Sequence, residues 1–326
     1  MKVLKVSLLV LLSLILVAIA AVPLLINYKR SESTHQTFHR FTESPELSFA
    51  DIRWTDDTVA DIPFEKTAFF VPIKIKGLSE DVYMQFDSGS STTMLYGKTL
   101  KALGSPWPVL LSEDSSAYVE DITIEVAGAV LEARKMDVYD HMGSDSSALD
   151  SFMVVGTMGY DAFYGKTLIM DFREDKLAIT EKNLDELAYK VDLVEEASVN
   201  KFPFLITAQL GENDIQLVYD TGSSMFPIVT TPHKLSTISQ GIEADTLCCV
   251  SSWGVDHDVY RKKSDKAITV GKTAFNEEYV YAVPQMDHFM LNHCPDWLFF
   301  GGTGNRLFLD KIVVVDTENN QFGIAG

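Results

Sequence analysis

Positive charge is scarce in this chain: 27 lysines and arginines stand against 46 aspartates and glutamates, a formal net charge of −19. That balance excludes nucleic-acid binding, because phosphate contacts need clustered Lys and Arg. The short basic run Arg261-Lys262-Lys263 is isolated and reads as a solvated loop or strand face. Cysteine is scarcer still, with three residues in 326. Cys248 and Cys249 are neighbours, and a bond between neighbours is strained. The disulfide open to the chain therefore joins Cys249, or Cys248, to Cys294. In an oxidising compartment that link is worth roughly 4 kcal/mol on chain-entropy grounds. Three buried reduced thiols are the alternative reading.

Cofactor signatures are missing as well. Gly-Lys-Thr triplets begin at Gly97, Gly165 and Gly271, but the earlier glycine of a phosphate loop is replaced by Thr92, Tyr160 and Lys266. Gly302-Thr303-Gly304 has no βαβ context, which argues against a dinucleotide site. His288, His293 and Cys294 match no common zinc spacing. The expectation is a protein with no metal and no organic cofactor.

One long apolar run stands apart. Lys2 and Lys5 precede an uncharged, mostly apolar stretch from Val6 to Ile26, closed by Lys29 and Arg30. As a helix its twenty-one residues would reach roughly 31 Å, about the hydrocarbon thickness of a bilayer. Residues 1–30 thus read as a single-pass signal anchor, with a cleaved secretory signal at Ala18-Ile19-Ala20 as the alternative. Either reading exports the rest of the chain, to a periplasmic or extracellular side. Residues 31–60 are polar and lack periodicity, as a tether would.

The chain is rich enough in apolar residues for real cores, at 46% hydrophobic and 11% aromatic, and beyond residue 60 it is written twice. Phe86-Asp87-Ser88-Gly89-Ser90-Ser91 and Tyr219-Asp220-Thr221-Gly222-Ser223-Ser224 are nearly alike. Each comes after an apolar, strand-like run. Each half later reaches an apolar pair and a glycine, Val154-Val155-Gly156 and Phe299-Phe300-Gly301. The same number of positions separates Gly156 from Asp171 as Gly301 from Asp316, and Gly156 from Ile179 as Gly301 from Ile324. Between motif and glycine the second half is longer by about a dozen residues, placed near the cysteine pair, where loops tolerate additions. Short alternating segments such as Ile122-Thr123-Ile124-Glu125-Val126 make both halves read as all-β. The division expected is a lobe over residues 61–185 carrying Asp87 and a lobe over 186–326 carrying Asp220.

Amide hydrolysis needs a base to deprotonate water and an acid to protonate the departing nitrogen. Two carboxylates a few Å apart cannot both ionise cheaply, so they share one proton and can serve as both. Asp87 and Asp220 are the candidate pair. Gly89 and Gly222 allow a tight backbone turn behind each carboxylate. Ser88 and Thr221 can bond across to the opposite loop, and Ser90 and Ser223 are placed to bond the carboxylates.

The two motifs, the apolar-apolar-glycine elements and the tail from Phe308 to Ala325 resemble the pepsin-like aspartic peptidases, from about residue 65 to the end. In that family a carboxylate pair sharing one proton is the catalytic device. The likeness is to an exported or membrane-anchored member of bacterial type. It implies two β-barrel-like lobes related by a pseudo-twofold axis, a monomeric endopeptidase with Asp87 and Asp220 as catalytic residues, and a peptide or protein substrate lying extended between the lobes. A catalytically inactive binding or inhibitory module on the same fold is the alternative. Such enzymes carry a flap tyrosine in a Tyr-Gly motif; none follows Asp87, and Tyr118 is the nearest candidate. Gly302 also stands where the second lobe of the family often has Asp.

Overall fold

Alternation of apolar and polar side chains makes strands wherever one face can be buried, and strands dominate here. The computed structural model describes residues 37–79, 81–144, 153–187, 190–238, 244–252, 255–276 and 278–326. In the strand Ile62–Ile75, Phe69, Val71, Ile73 and Ile75 point into the core while the residues between them are partly or fully exposed. The strand Ala117–Val126 does the same with Val119, Ile122, Ile124 and Val126.

Among the described residues three sheets result. One of nine strands is drawn from residues 38–158, and another of nine from residues 205–303. Between them a six-stranded sheet mixes both halves, in the order Asp192–Leu193, Gln321–Ala325, Ile312–Asp316, Thr167–Asp171, Lys176–Thr180, Ala50–Asp51. At its centre Thr167–Asp171 runs antiparallel to Ile312–Asp316, with Ile169 opposite Val314. Those two residues occupy equivalent places in the duplicated sequence, so corresponding strands of the two halves pair with each other.

Each half repeats one arrangement around its motif. The strand Val82–Phe86 leads into Asp87, and Asn213–Tyr219 into Asp220. The strand bearing the later glycine inserts beside it: Gly156 lies parallel to Met84 and antiparallel to Leu95, Gly301 parallel to Leu217 and antiparallel to Thr230. That insertion explains the apolar-pair-glycine signature, since the neighbouring backbone leaves no room for a side chain at either glycine. Most of the extra residues of the second half fall between Thr230 and Ala282, where the hairpin Asp245–Ser252/Val255–Lys263 stands.

The main apolar core runs through both halves. Phe86 stacks on Phe163 at 5.3 Å, Phe163 meets Phe204 at 5.9 Å, and Phe204 meets Tyr219 at 6.0 Å. Aromatic pairs add about 0.5–1.5 kcal/mol each beyond area burial. This chain of rings ties together the residues immediately preceding the two aspartates.

One expectation needs amending. Residues 38–59 are not a tether: they form the strands Phe38–Thr42, Ala50–Asp51 and Arg53–Val59. Their polar residues face solvent on edge and hairpin strands while Ala50, Ile52 and Val59 are buried, which is why no simple apolar pattern is visible there. The apolar run Val6–Ile26 lies outside the described residues, and among those described no helix is long and apolar enough to cross a membrane.

Candidate active site

Asp87 and Asp220 close two equivalent turns. The N–H of Asp87 donates to the carbonyl of Met158 at 3.0 Å, and that of Asp220 to the carbonyl of Thr303 at 2.8 Å. In each turn the glycine two residues on donates its N–H back to the carboxylate, Gly89 to Asp87 Oδ1 and Gly222 to Asp220 Oδ1, both at 2.8 Å. The carboxyls are brought together, each lying against the glycine of the opposite motif.

The turns are locked to one another by Ser88 and Thr221, both fully buried. Ser88 N–H donates to Thr221 Oγ1 at 2.8 Å, and Thr221 N–H donates to Ser88 Oγ at 2.9 Å. Each hydroxyl in turn donates to the strand before the opposite motif, Ser88 to the Tyr219 carbonyl and Thr221 to the Phe86 carbonyl, both at 3.2 Å. Four bonds among buried groups, every donor and acceptor matched, hold the pair in one geometry.

Electrostatics follow from that enclosure. Burial above all, then the charge of Asp220 and the bond to it, push the Asp87 carboxyl up to about 8. Burial also raises Asp220, against the bond from Asp87 and the N–H groups of Gly222, Gly89 and Ser223. Both carboxyls are thus pushed toward the protonated form, and near neutral pH the pair holds a proton between them.

The remaining residues singled out from the sequence fall in several places. Ser90 gives its backbone N–H to Asp87 Oδ1 at 3.2 Å, but its hydroxyl donates to the Thr92 carbonyl at 2.9 Å. Ser223 likewise acts on Asp220 through its backbone; amides, which point inward in so tight a turn, replace the hydroxyls. Tyr118 is not at the site. It lies at the start of Ala117–Val126 opposite Leu110, with the Lys135 ammonium 4.3 Å from its ring centre. The tyrosine that reaches the groove is Tyr96, buried, its hydroxyl 2.5 Å from Thr157 Oγ1. Cys294 is a free thiol, not bonded to Cys249. It ends the short helix Phe289–His293, and its carbonyl accepts from the buried Lys234 ammonium at 2.9 Å.

Asn305 had no signal in motif or spacing, yet it organises the second turn. Its Nδ2 donates to the Thr221 carbonyl at 2.8 Å and to Ser224 Oγ at 2.7 Å, while Tyr219 donates its hydroxyl to Oδ1 at 2.8 Å. All four residues are buried.

The carboxylates open into a groove of about 730 Å³. Its first-half wall is polar, with Thr55, Gln85 and Tyr96, and its second-half wall apolar, with Val218, Phe226 and Val283. Among the described residues no three His, Cys, Asp or Glu side chains stand together as a metal site would need. A scan against protein-family models finds no match to the chain, and a search of the curated proteins finds none.

Proposed function

We propose that this chain is a pepsin-like aspartic endopeptidase, two β lobes related by a pseudo-twofold axis with the reaction carried out between them. The observation that supports it most is the pair itself: two carboxyls in one groove, each backed by the glycine of the opposite motif. Asp87 and Asp220 serve interchangeably as acid and base: the ionised carboxyl takes a proton from water. The protonated one donates to the carbonyl oxygen of the scissile amide as water adds to its carbon. Proton return through the pair to the nitrogen then lets the C–N bond break. No metal or organic cofactor has a part in these steps.

The substrate is a peptide segment lying extended in the groove, bound through its main chain, with its larger apolar side chains against Phe226, Val218 and Val283. The apolar run Val6–Ile26 supports anchoring to a membrane with the catalytic part exported.

The test is turnover of a peptide library by the full chain and by its Asp220→Asn variant. The variant is expected to lose about 10³-fold or more in kcat/KM while keeping the unfolding transition of a folded protein. Retained cleavage would refute the mechanism. Wild-type protein that neither cleaves nor binds a hydroxyl-containing transition-state peptide would point to the inactive module instead.

A further inference from the structure

We infer that the tip of the hairpin Arg53–Val59/Ile62–Ile75 is a hinged strap that closes the groove and selects what can enter it. The strap's existence stands on its own contacts; only its role in substrate choice rests on the peptidase reading. This hairpin precedes Asp87 in the chain, whereas Tyr118, the flap candidate, lies on another strand away from the groove.

The hairpin has two parts. Its base is fixed to the first half: Trp54 packs on Phe69 and Phe172 at 5.4 and 5.8 Å, and its Nε1 donates to Asp175 Oδ1 at 2.7 Å. The Lys66 ammonium meets the same carboxylate at 2.7 Å. Above the base the pairing slips between Thr55 and Asp57, a β-bulge, opposite Lys66, whose φ is +56°. Bulges bend a strand and interrupt its ladder, so the chain has a defined place at which to flex.

Beyond the bulge the tip belongs to the other half. Val59 and Phe64 are buried in a small apolar cluster whose remaining buried members are Phe226, Leu247, Val250, Val259 and Tyr281. Phe64 meets Phe226 edge-on at 5.7 Å, and Phe226 stacks on Tyr281 at 4.0 Å. The Arg306 guanidinium donates to the Glu65 carbonyl at 2.7 Å. Thr55, Asp57 and Thr67 of this hairpin and Val250, His257 and Val259 of the opposite hairpin wall the same groove that holds Asp87 and Asp220. The cluster is separate from the main core, so it can part without unfolding either half.

A groove walled on two sides by hairpins that touch each other does not admit a folded surface. A short peptide can enter end-on beneath the strap. An internal segment of a long chain must wait for Val59 and Phe64 to leave their pocket. The strap therefore favours flexible, unstructured peptide over folded protein, and makes long substrates depend on its opening.

Hydrogen exchange of the full chain, read by mass spectrometry, tests the strap without any need for activity. In Phe64→Ala, amides of residues 53–67 and those of Asp245–Ser252 and Val255–Lys263 should speed together by at least about tenfold, with the central sheet unchanged. Arg306→Gln, which leaves the apolar cluster whole, should show the same paired pattern to a smaller extent. Faster exchange in one hairpin alone, or in neither, overturns the strap. For selectivity, kcat/KM on reduced, carboxymethylated ribonuclease is compared with that on an octapeptide. The ratio should rise at least about fivefold in Phe64→Ala, and an unchanged ratio overturns the selecting role. Paired exchange with no cleavage by wild type leaves the strap in place and removes the peptidase reading.

Discussion

The α-carbon of Gly89 faces the carboxyl of Asp220 so closely that a Cβ there would stand 2.6 Å from Asp220 Cγ. Gly222 stands in the same relation to Asp87, at 2.5 Å. Each motif's glycine is thus required by the other motif's aspartate, a stronger demand than the tight turn behind its own. Gly89→Ala and Gly222→Ala should each separate the carboxyls and lower kcat/KM by about 10²-fold or more, since displacements near 1 Å cost that much. A variant that keeps wild-type turnover on a peptide would show that the carboxyls need not touch.

Ser88 and Thr221 have a different duty, rigidity. Thr221→Ala removes an acceptor and a donor, and leaves the buried Ser88 N–H and Phe86 carbonyl without partners. An orphaned buried group costs about 1–3 kcal/mol. Urea unfolding should show a loss of that size. Thr221→Ser keeps the oxygen and should restore most of it, whereas Thr221→Val, similar in shape, should not.

Titration of the pair sets the pH behaviour of activity and stability separately. Turnover needs the shared proton, so kcat/KM should fall as pH rises through about 8, where Asp87 loses it. For stability, the folded-state pKa of Asp87 is raised from 3.8 to about 8, so the unfolded chain releases the proton first. The folded state is favoured below about pH 4 and loses that advantage as pH rises to about 8. Asp87→Asn abolishes the ionisation. Its Tm should exceed that of wild type by at least about 2 °C at pH 8 and show no gain at pH 3.5. A variant less stable than wild type at pH 8 would mean that the carboxyl is not held in its neutral form.

Repetition made much of this legible. Matching Gly156 with Gly301 and Ile169 with Val314 aligned the halves, and the strands so matched do pair, with Ile169 opposite Val314. The two aspartates were visible because their turns need glycine and hydroxyls at fixed offsets. Features that break the symmetry were not. Tyr96 comes to the groove because Met94–Tyr96 lies beside the inserted strand Val154–Met158, a pairing no local pattern announces. The hairpin from Arg53 buries its tip in the distant half, so its polar residues read as tether. Asn305 is a single polar residue with no partner nearby in sequence, and only the fold gives it three.

Asn305 yields the last expectation. It is buried, and its amide satisfies the Tyr219 hydroxyl, the Thr221 carbonyl and Ser224 Oγ at once. Asn305→Asp keeps the acceptor for Tyr219 but exchanges two donated bonds for a negative charge in a buried site close to Asp220. Like charge should disfavour ionisation of the pair and hold it protonated to higher pH. Asn305→Ala removes the same bonds without adding charge. Both variants should unfold at lower urea concentration, by about 1–3 kcal/mol, but only Asn305→Asp should move the acidic limb of the kcat/KM profile upward. Equal limbs in the two variants would reduce Asn305 to packing, and a shift in Asn305→Asp alone would tie it to the proton held between the carboxyls.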